Sequence, residues 1–376
     1  MFRRALPALL APALARAQAS STAIVSQAAR FRVTEWSGAL EHAWGGVFLP
    51  DGRLLVTERP GRLRLVQADG ALSAPLAGVP PVEAVGQGGL LDVALAPDFA
   101  ATRRIWLSSA TAIPGGIVTR LWHAVLDGAA LRDVTAVLDA TPAQPRGRSH
   151  YGGRIAFSPP GDPAGRHLYL STGERAQEPR RAQGLGDLAG KILRLTAAGA
   201  IPRDNPFIGQ AGARPEIWSL GHRNPQGLAH NPATGTLFAA EFGPLGGDEL
   251  NVIRPGQNYG WPLVTHGREY SGASISPDSS RPGFADPVRV WVPSISPSGL
   301  AFCAGPAFPQ WQGHAFLACL NPAGLLRLPM QGDTPGAEER LLWNKQRIRQ
   351  VVFDVQGRPY LLTDTDRGPI LRLDPA

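Results

Sequence analysis

Lysine is almost absent from this chain: Lys191 and Lys345 are the only two in 376 residues. Arginine therefore carries nearly all of the positive charge behind the formal net charge of +7. The arginines are scattered singly, without a basic run and without the interleaved basic and aromatic residues of RNA-binding motifs. We therefore expect no nucleic-acid partner.

Cysteine is equally scarce, with Cys303 and Cys319 as the only two. Neither a CxxC pair nor a Cys/His spacing suited to zinc occurs. Both cysteines fall in opposite arms of one predicted hairpin, but the long turn between the arms does not fix the register. The sequence therefore leaves two alternatives open, a disulfide or two buried free thiols.

Long apolar stretches are missing too. No segment approaches the length needed to span a bilayer, and beyond the N-terminus no amphipathic pattern exceeds about three helical turns. The N-terminus combines Arg3 and Arg4, a short apolar run over residues 5–15 and small residues up to Ala19. This pattern predicts a signal peptide over residues 1–19, with a buried N-terminal helix as the alternative. We expect the mature chain to be soluble and periplasmic or secreted.

Glycine and proline, by contrast, are abundant, with 44 and 36 residues distributed along the chain as turn formers. Six stretches repeat an apolar strand, a turn rich in Pro, Asp or Gly, and a second apolar strand. They cover residues 45–58, 90–109, 152–174, 225–244, 298–320 and 348–364. Because a single hairpin cannot bury both faces, six such units predict an all-β fold, a six-bladed β-propeller that forms one domain over residues 20–376. The loops between the repeats then converge on a central pocket.

The loop before the third hairpin carries the strongest catalytic candidate, His150. Glu174 ends the same hairpin, so the fold can bring the two side chains together. A loop histidine is usually just solvated. A histidine whose second ring nitrogen donates to a carboxylate, however, has a fixed tautomer and a stabilised imidazolium, as a general base requires.

Three other loop segments carry polar residues that their strands do not require. Gln87 lies in a glycine-rich turn before the second hairpin. Arg223 and Asn224 precede the fourth hairpin, where a guanidinium and an amide suit a carboxylate or carbonyl of a ligand. Arg347 and Arg349 alternate at the start of the sixth hairpin, so both can face the pocket. A simple tight turn and a solvated strand edge are the alternative interpretations.

The loop after the fourth hairpin is a candidate calcium site. Gly243 and Pro244 expose backbone carbonyls there, and Asp248 and Glu249 supply carboxylate oxygens. Calcium accepts six to eight such oxygens in loose geometry. The spacing is not that of an EF-hand, and a glycine-rich loop with a capping aspartate is the alternative.

At these loops the chain resembles the soluble aldose sugar and glucose dehydrogenases that use pyrroloquinoline quinone. The similarity extends from about Leu40 to the C-terminus. Its strongest pieces are LEHAWGGVFLPDGRLLVTERPGRLRLV, GQGGLLDVALAPDF, GHRNPQGL, GGDELN with NYGWP, and PSISPSGLAF. The resemblance implies an oxidoreductase that oxidises the anomeric hydroxyl of aldoses to lactones by hydride transfer to the quinone.

Roles for individual residues follow from the same resemblance. His150 matches the family's base, and Arg223 matches an arginine that stabilises negative charge on the reacting quinone oxygen. Residues at cofactor-binding positions are Gln87, Asn224, Arg347 and Arg349. The implied partners are a small sugar and an electron acceptor that the sequence does not identify.

Two calcium sites are also implied by the resemblance. Gly243 and Pro244 match backbone ligands of a calcium ion in the active site. Glu249 and Tyr259 match ligands of a second, structural calcium.

Four positions depart from the family's usual pattern. Glu174 stands where an aspartate normally orients the histidine, and Asn321 occupies the place of a cofactor-binding lysine. Phe242 and Leu245 replace polar residues of the calcium loop. Loss of the cation at position 321 is expected to weaken binding of the anionic quinone by about 1–3 kcal/mol. A non-catalytic binding propeller and a calcium-dependent hydrolase of the lactonase type therefore remain as alternative functions.

Overall fold

The computed structural model describes residues 22–162 and 166–376, so the predicted signal peptide lies outside the described residues. In chain order the strands of these ranges are β1 (Ile24–Val25), β2 (Arg30–Glu35), β3 (Ala43–Phe48), β4 (Leu54–Glu58), β5 (Arg62–Val66), β6 (Leu90–Leu95), β7 (Arg104–Ile113), β8 (Gly116–Asp127), β9 (Ala130–Asp139), β10 (Gly152–Phe157), β11 (His167–Thr172), β12 (Lys191–Thr196), β13 (Ile217–Leu220), β14 (Pro225–His230), β15 (Leu237–Glu241), β16 (Asp248–Ile253), β17 (Arg289–Trp291), β18 (Pro297–Phe302), β19 (Ala315–Leu320), β20 (Ala323–Leu328), β21 (Met330–Gln331), β22 (Thr334–Pro335), β23 (Glu339–Leu341), β24 (Ile348–Phe353), β25 (Pro359–Thr363) and β26 (Ile370–Pro375). One α-helical turn, α1 (Phe99–Thr102), and two 3₁₀ turns, Pro179–Gln183 and Pro309–Trp311, accompany them. Within the described ranges, no helix has the length and apolar character required to cross a membrane.

Apart from a two-stranded sheet of β21 and β22, the strands of the described ranges form six antiparallel sheets arranged as blades around a ring. Blades 1 to 4 contain β3–β5, β6–β9, β10–β13 and β14–β17; blade 5 contains β18–β20 and β23, and blade 6 contains β24–β26 with β2 and β1. The first strands of the blades contact one another in chain order, and β24 of blade 6 contacts β3 of blade 1. The predicted all-β fold, a six-bladed propeller, is therefore confirmed.

Blade 6 closes the ring by joining the two ends of the described chain. β2 pairs antiparallel with β26, so that Phe31 lies opposite Pro375 and Glu35 lies opposite Leu371. Phe31 is fully buried in the apolar cluster shared by blades 5 and 6. Because the first long strand completes the last blade, the ring holds together without a covalent link.

Each inner strand begins with an irregular register against the second strand of its blade. In β10, for example, the register shifts between Gly152 and Ile155, and in β14 it shifts between Pro225 and Gly227. The other four inner strands have the same irregularity near their first residues. Such bulges bend the strand and change the direction of its side chains. Here they accompany polar side chains that point toward the propeller axis.

Arg154 on β10 connects all six blades. Its guanidinium donates to Asp92 Oδ1 in blade 2 (3.2 Å) and to the carbonyls of Trp44 in blade 1 (3.3 Å), Gln226 in blade 4 (2.7 Å), Ser298 in blade 5 (2.7 Å) and Arg349 in blade 6 (3.2 Å). Burial lowers the pKa of Arg154 to about 10, and Asp92 opposes the shift, so the side chain remains cationic at neutral pH. One buried cation thus fixes the inner strands relative to one another.

The two cysteines are free and buried. Cys319 lies opposite Pro297 in the β18–β19 pair, whereas Cys303 follows the far end of β18. Six residues of strand separate Pro297 from Cys303, which corresponds to about 20 Å at roughly 3.3 Å per residue. A disulfide needs Cα atoms within about 7 Å. Of the two alternatives left open by the sequence, two buried free thiols is the correct one.

Candidate active site

A cavity of about 350 Å³ lies at the end of the propeller where the inner strands begin. Seven residues predicted from the sequence line it: Gln87, His150, Arg223, Asn224, Asn321, Arg347 and Arg349. The other lining residues are His42, Trp44, Arg59, Gly86, Gln226, Phe242, Tyr270, Ser296, Leu320 and Asp364. Among all the residues that line the cavity, four are arginines and one is an aspartate, so the cavity is suited to an anionic ligand.

His150 and Glu174 form the contact that the sequence predicted. Glu174 Oε1 lies 2.8 Å from His150 Nδ1, and Glu174 Oε2 accepts the backbone N–H of Ala176. The two side chains are buried, with 11% of His150 and 1% of Glu174 exposed. The extra methylene of glutamate, compared with aspartate, therefore does not break the contact. Burial lowers the pKa of His150, although the hydrogen bond to Glu174 opposes this, so the ring is neutral at neutral pH.

Two further histidines pair with carboxylates in the same way. His222 Nδ1 lies 3.0 Å from Glu241 Oε1, and His42 Nδ1 lies 2.8 Å from Asp364 Oδ1. Each of these acids stands at or just after the end of the second strand of its blade, as Glu174 does. The propeller thus repeats one His–carboxylate arrangement at three places around its axis.

The second ring nitrogen distinguishes His150 from the other two histidines. His222 Nε2 is bound by Ser219 Oγ at 2.9 Å, and His42 Nε2 lies 3.0 Å from Asp366 Oδ1. For His150 Nε2, the described part of the chain provides no hydrogen-bond partner, and the residue lines the cavity. His150 is therefore the histidine of these three whose ring can accept a proton from a ligand.

The backbone around His150 is held by the two predicted amides. His150 adopts a left-handed conformation with φ 51°, and its N–H donates to Gln87 Oε1 at 2.9 Å. Asn224 Oδ1 accepts the N–H of Gly152 at 3.1 Å. A Cβ at Gly173 would lie 2.2 Å from the His150 carbonyl oxygen, so glycine is required there. The amide oxygens thus position the loop that carries His150, and their NH₂ groups are left for the cavity.

Arg347 and Arg349 both bind Asp364. Arg349 Nη2 lies 2.5 Å and Arg347 Nε 3.3 Å from Asp364 Oδ2, while His42 occupies Oδ1. Burial alone would raise the pKa of Asp364. The charge of Arg349 and the contacts with His42 and Arg347 outweigh this effect and hold the pKa well below its usual value. Burial lowers the pKa of Arg349. One permanent anion is therefore shared by two cations in this wall of the cavity.

Arg223 reaches the loop that the sequence predicts as a calcium site. Its Nη1 donates to the carbonyls of Phe242 at 3.1 Å and Gly243 at 2.8 Å, and its buried Nε has no partner in the described structure. The buried Nε of Arg349 is likewise unpaired. Unsatisfied buried guanidinium N–H groups are costly. Both would gain from an acceptor-rich ligand in the cavity.

A second, much smaller cavity of about 10 Å³ lies behind Arg223. Among its lining residues are Glu241, Gly243, Glu249 and Tyr259. Asn251 Nδ2 donates to Glu241 Oε1 at 3.0 Å and to Glu249 Oε2 at 3.1 Å, so the two carboxylates are neighbours. Burial and the repulsion by Glu241 raise the pKa of Glu249 to about 8. This volume corresponds to about one water-sized sphere.

The two pairs of residues predicted for the two calcium ions are placed differently: Glu249 and Tyr259 line the same cavity, whereas Gly243 and Pro244 do not. Gly243, Glu249 and Tyr259 line the small cavity, whereas Pro244 packs beside Gly267 and lines neither cavity. The Tyr259 hydroxyl donates to the Val252 carbonyl, so a ligand from this residue would be its backbone oxygen. Within residues 22–162 and 166–376, no group of three or more His, Cys, Asp or Glu side chains is arranged to hold a metal.

The departures at Phe242 and Leu245 differ in their consequences. Phe242 lines the main cavity. Leu245 is 52% exposed and lines neither cavity, so its apolar side chain removes no polar group from the site.

Several lining residues were not predicted as site residues, above all His42, Arg59 and Asp364. Asp364 was detectable because it ends the sixth hairpin as Glu174 ends the third. His42 has the same signal as His150, a histidine one or two residues before an inner strand. Arg59 lies in the turn after β4, where no local pattern shows that the side chain faces the cavity.

Comparison with known proteins agrees with this geometry. A family model described as Glucose / Sorbosone dehydrogenase matches residues 40–372. The aldose sugar dehydrogenase YliI of Escherichia coli (strain K12) is 43% identical over 362 residues, which cover 94% of this chain and 96% of the relative. A crystal structure of a glucose dehydrogenase is 45% identical with a TM-score of 0.87, and the match covers 92% of this chain and 99% of that one.

A solved structure with bound cofactor is also similar. The PQQ-bound form of an aldose sugar dehydrogenase from Streptomyces coelicolor is 31% identical with a TM-score of 0.73, and the match covers 95% of this chain and 98% of that one. The family model and the relative from Escherichia coli both extend over most of the chain. The chain therefore belongs to the glucose/sorbosone dehydrogenase family.

Proposed function

We propose that this protein is an exported, calcium-containing oxidoreductase that oxidises the anomeric hydroxyl of aldoses to lactones with pyrroloquinoline quinone. The names of the relatives support a sugar dehydrogenase, and the PQQ-bound structure of a relative supports the cofactor. Export rests on the predicted signal peptide alone.

The observation that carries the proposal is the state of His150. Its Nδ1 is fixed by Glu174 at 2.8 Å, and its Nε2 has no partner in the described structure and lies at the cavity. Nε2 can therefore take the proton from a sugar hydroxyl, while Glu174 stabilises the resulting imidazolium. The lowered pKa of His150 keeps the ring in its basic form at neutral pH.

The remaining cavity residues fit an acidic, planar quinone. When bound, the quinone would supply the acceptor for the hydride that leaves the anomeric carbon. Arg347, Arg349 and Asn224 would bind its carboxylates and carbonyls, and Arg223 would stabilise developing negative charge. The unpaired Nε groups of Arg223 and Arg349 support this fit. Asn321 is exposed at the rim and supplies no cation.

Calcium fits the two places indicated by the sequence to different degrees. Two neighbouring carboxylates, of the buried Glu241 and the half-buried Glu249, lie beside the unpaired amide oxygen of Asn251 and form with it a set of hard oxygen donors. The Gly243 carbonyl already accepts from Arg223, which lines the main cavity, yet it has a second lone pair for a metal ion. Backbone carbonyls would provide most of the remaining ligands at both places.

A comparison of His150→Ala with the wild-type protein tests the proposal. Both are loaded with pyrroloquinoline quinone and calcium, binding is measured by calorimetry, and sugar-dependent reduction of a redox dye is followed. We expect cofactor affinity to stay within about threefold while turnover falls by about 10²–10⁴-fold, the usual contribution of a positioned base. If the variant retains more than a tenth of wild-type turnover, His150 is not the base.

A further inference from the structure

We propose that Arg59 is an additional cofactor-binding residue that recognises a carboxylate of the quinone. This inference rests on the proposed function and assigns a role to a residue that the sequence did not indicate.

Arg59 is held in place at its backbone. Its N–H donates to the His42 carbonyl at 3.0 Å, and its carbonyl accepts the N–H of Leu90 at 3.0 Å. A Cβ at Gly89 would lie 1.9 Å from the Arg59 carbonyl oxygen, so the glycine permits this close approach. The residue is thereby fixed between the His42 loop and the Gly86–Gln87 turn. It cannot move away from the cavity wall without breaking these contacts.

The side chain of Arg59 retains unused donors. One nitrogen, Nη1, donates to the Gly86 carbonyl. Within the described ranges the guanidinium makes no ion pair and no other hydrogen bond. Arg347 and Arg349, in contrast, share Asp364. Arg59 is thus a cavity cation whose charge the protein does not neutralise.

The unneutralised charge of Arg59 matters because the proposed cofactor is an anion. Pyrroloquinoline quinone has three carboxylates, and two of the cavity arginines, Arg347 and Arg349, are already partly neutralised by Asp364. Arg59 adds to the cavity a positive charge that no carboxylate of the described chain neutralises. Burial has the largest effect in lowering the pKa of Arg349, and the charges of Arg347 and Arg59 lower it further. The three arginines are therefore close enough to act on one ligand.

The same reasoning explains how the cavity can do without a lysine at position 321. Asn321 lies at the rim and presents only a neutral amide. Arg59 lines the same cavity from blade 1. A cation on another blade can balance the ligand's charge even though the residue that usually does so is absent.

The test is calorimetric titration of pyrroloquinoline quinone into the calcium-loaded wild type, Arg59→Met, Arg59→Lys and a control, Arg132→Met. Arg132 is exposed on blade 2 and pairs with Asp127 away from the cavity. Loss of a charge-assisted hydrogen bond should weaken binding to Arg59→Met by about tenfold to a hundredfold. Arg59→Lys should recover most of this loss, and Arg132→Met should bind as the wild type does. Melting curves without cofactor establish that each variant is folded.

A neutral trimethyl ester of the quinone isolates the charge effect. If Arg59 binds a carboxylate, Arg59→Met should bind the ester as well as the wild type does. An equal loss for acid and ester would assign Arg59 to shaping the Gly86 turn and overturn the inference. Unchanged quinone affinity with a raised KM for galacturonate would assign Arg59 to an acidic sugar and overturn it as well. No binding of the quinone to the wild type would instead reject the proposed function itself.

Discussion

Replacement of Arg154 by methionine should destabilise the whole propeller, because one side chain contacts all six blades. Methionine has a similar length but leaves Asp92 buried without its cation and removes four hydrogen bonds to backbone carbonyls. Breaking a buried ion pair by removing one partner typically costs about 3–5 kcal/mol. At about 2.1 cal/mol/K per residue, a chain of this size has an unfolding entropy near 0.75 kcal/mol/K. The expected fall in Tm is therefore about 4–7 °C.

The assay is thermal and urea unfolding of the wild type, Arg154→Met and the double variant Arg154→Met with Asp92→Asn. The double variant should regain part of the loss, because no uncompensated buried carboxylate remains. Cofactor affinity should also fall in Arg154→Met, since the guanidinium binds the backbone of Arg349. A Tm within about 1 °C of the wild type would refute the view that this cation holds the blades together.

Three further outcomes are expected. Glu174→Gln should lower the rate and move the acid limb of the kcat/KM profile to lower pH, because Glu174 raises the pKa of His150 against the effect of burial; an unmoved limb would contradict the pairing. Removal of calcium by a strong chelator should lower the Tm, and calcium should restore it through linkage at the Glu241–Glu249 cavity; an unchanged Tm would reject that site. Asn321→Lys should tighten quinone binding in calorimetry, because it adds a cation at the rim; equal or weaker binding would show that the rim does not contact the ligand.

The inner half of the fold could be predicted from the sequence, whereas the outer half could not. The six repeats correspond to the first two strands of each blade, where apolar residues and turn formers alternate strongly. Outer strands such as β9 are only partly buried, so their pattern is weak. The pairing of β2 with β26 joins residues more than 300 positions apart, and no local signal encodes it.

For the site, prediction succeeded where a polar residue directly flanks an inner strand. His150, Arg223 and Arg347 lie one or two residues before such a strand, and all three line the cavity. Arg59 was missed because its orientation depends on contacts with two neighbouring loops. The sequence could not decide the state of the cysteines either, because the distance between them depends on strand register.

The central claim is that a sugar is oxidised at this cavity by a bound quinone. It is tested most directly by a single-turnover titration of protein loaded with one equivalent each of pyrroloquinoline quinone and calcium, without an external electron acceptor. Addition of an aldose should convert the absorbance of the oxidised quinone to that of its reduced form and yield one lactone per bound cofactor, and His150→Ala should show the cofactor bound but unreduced. If the wild type binds the quinone and a panel of aldoses leaves its spectrum unchanged, with no lactone formed, the claim is contradicted.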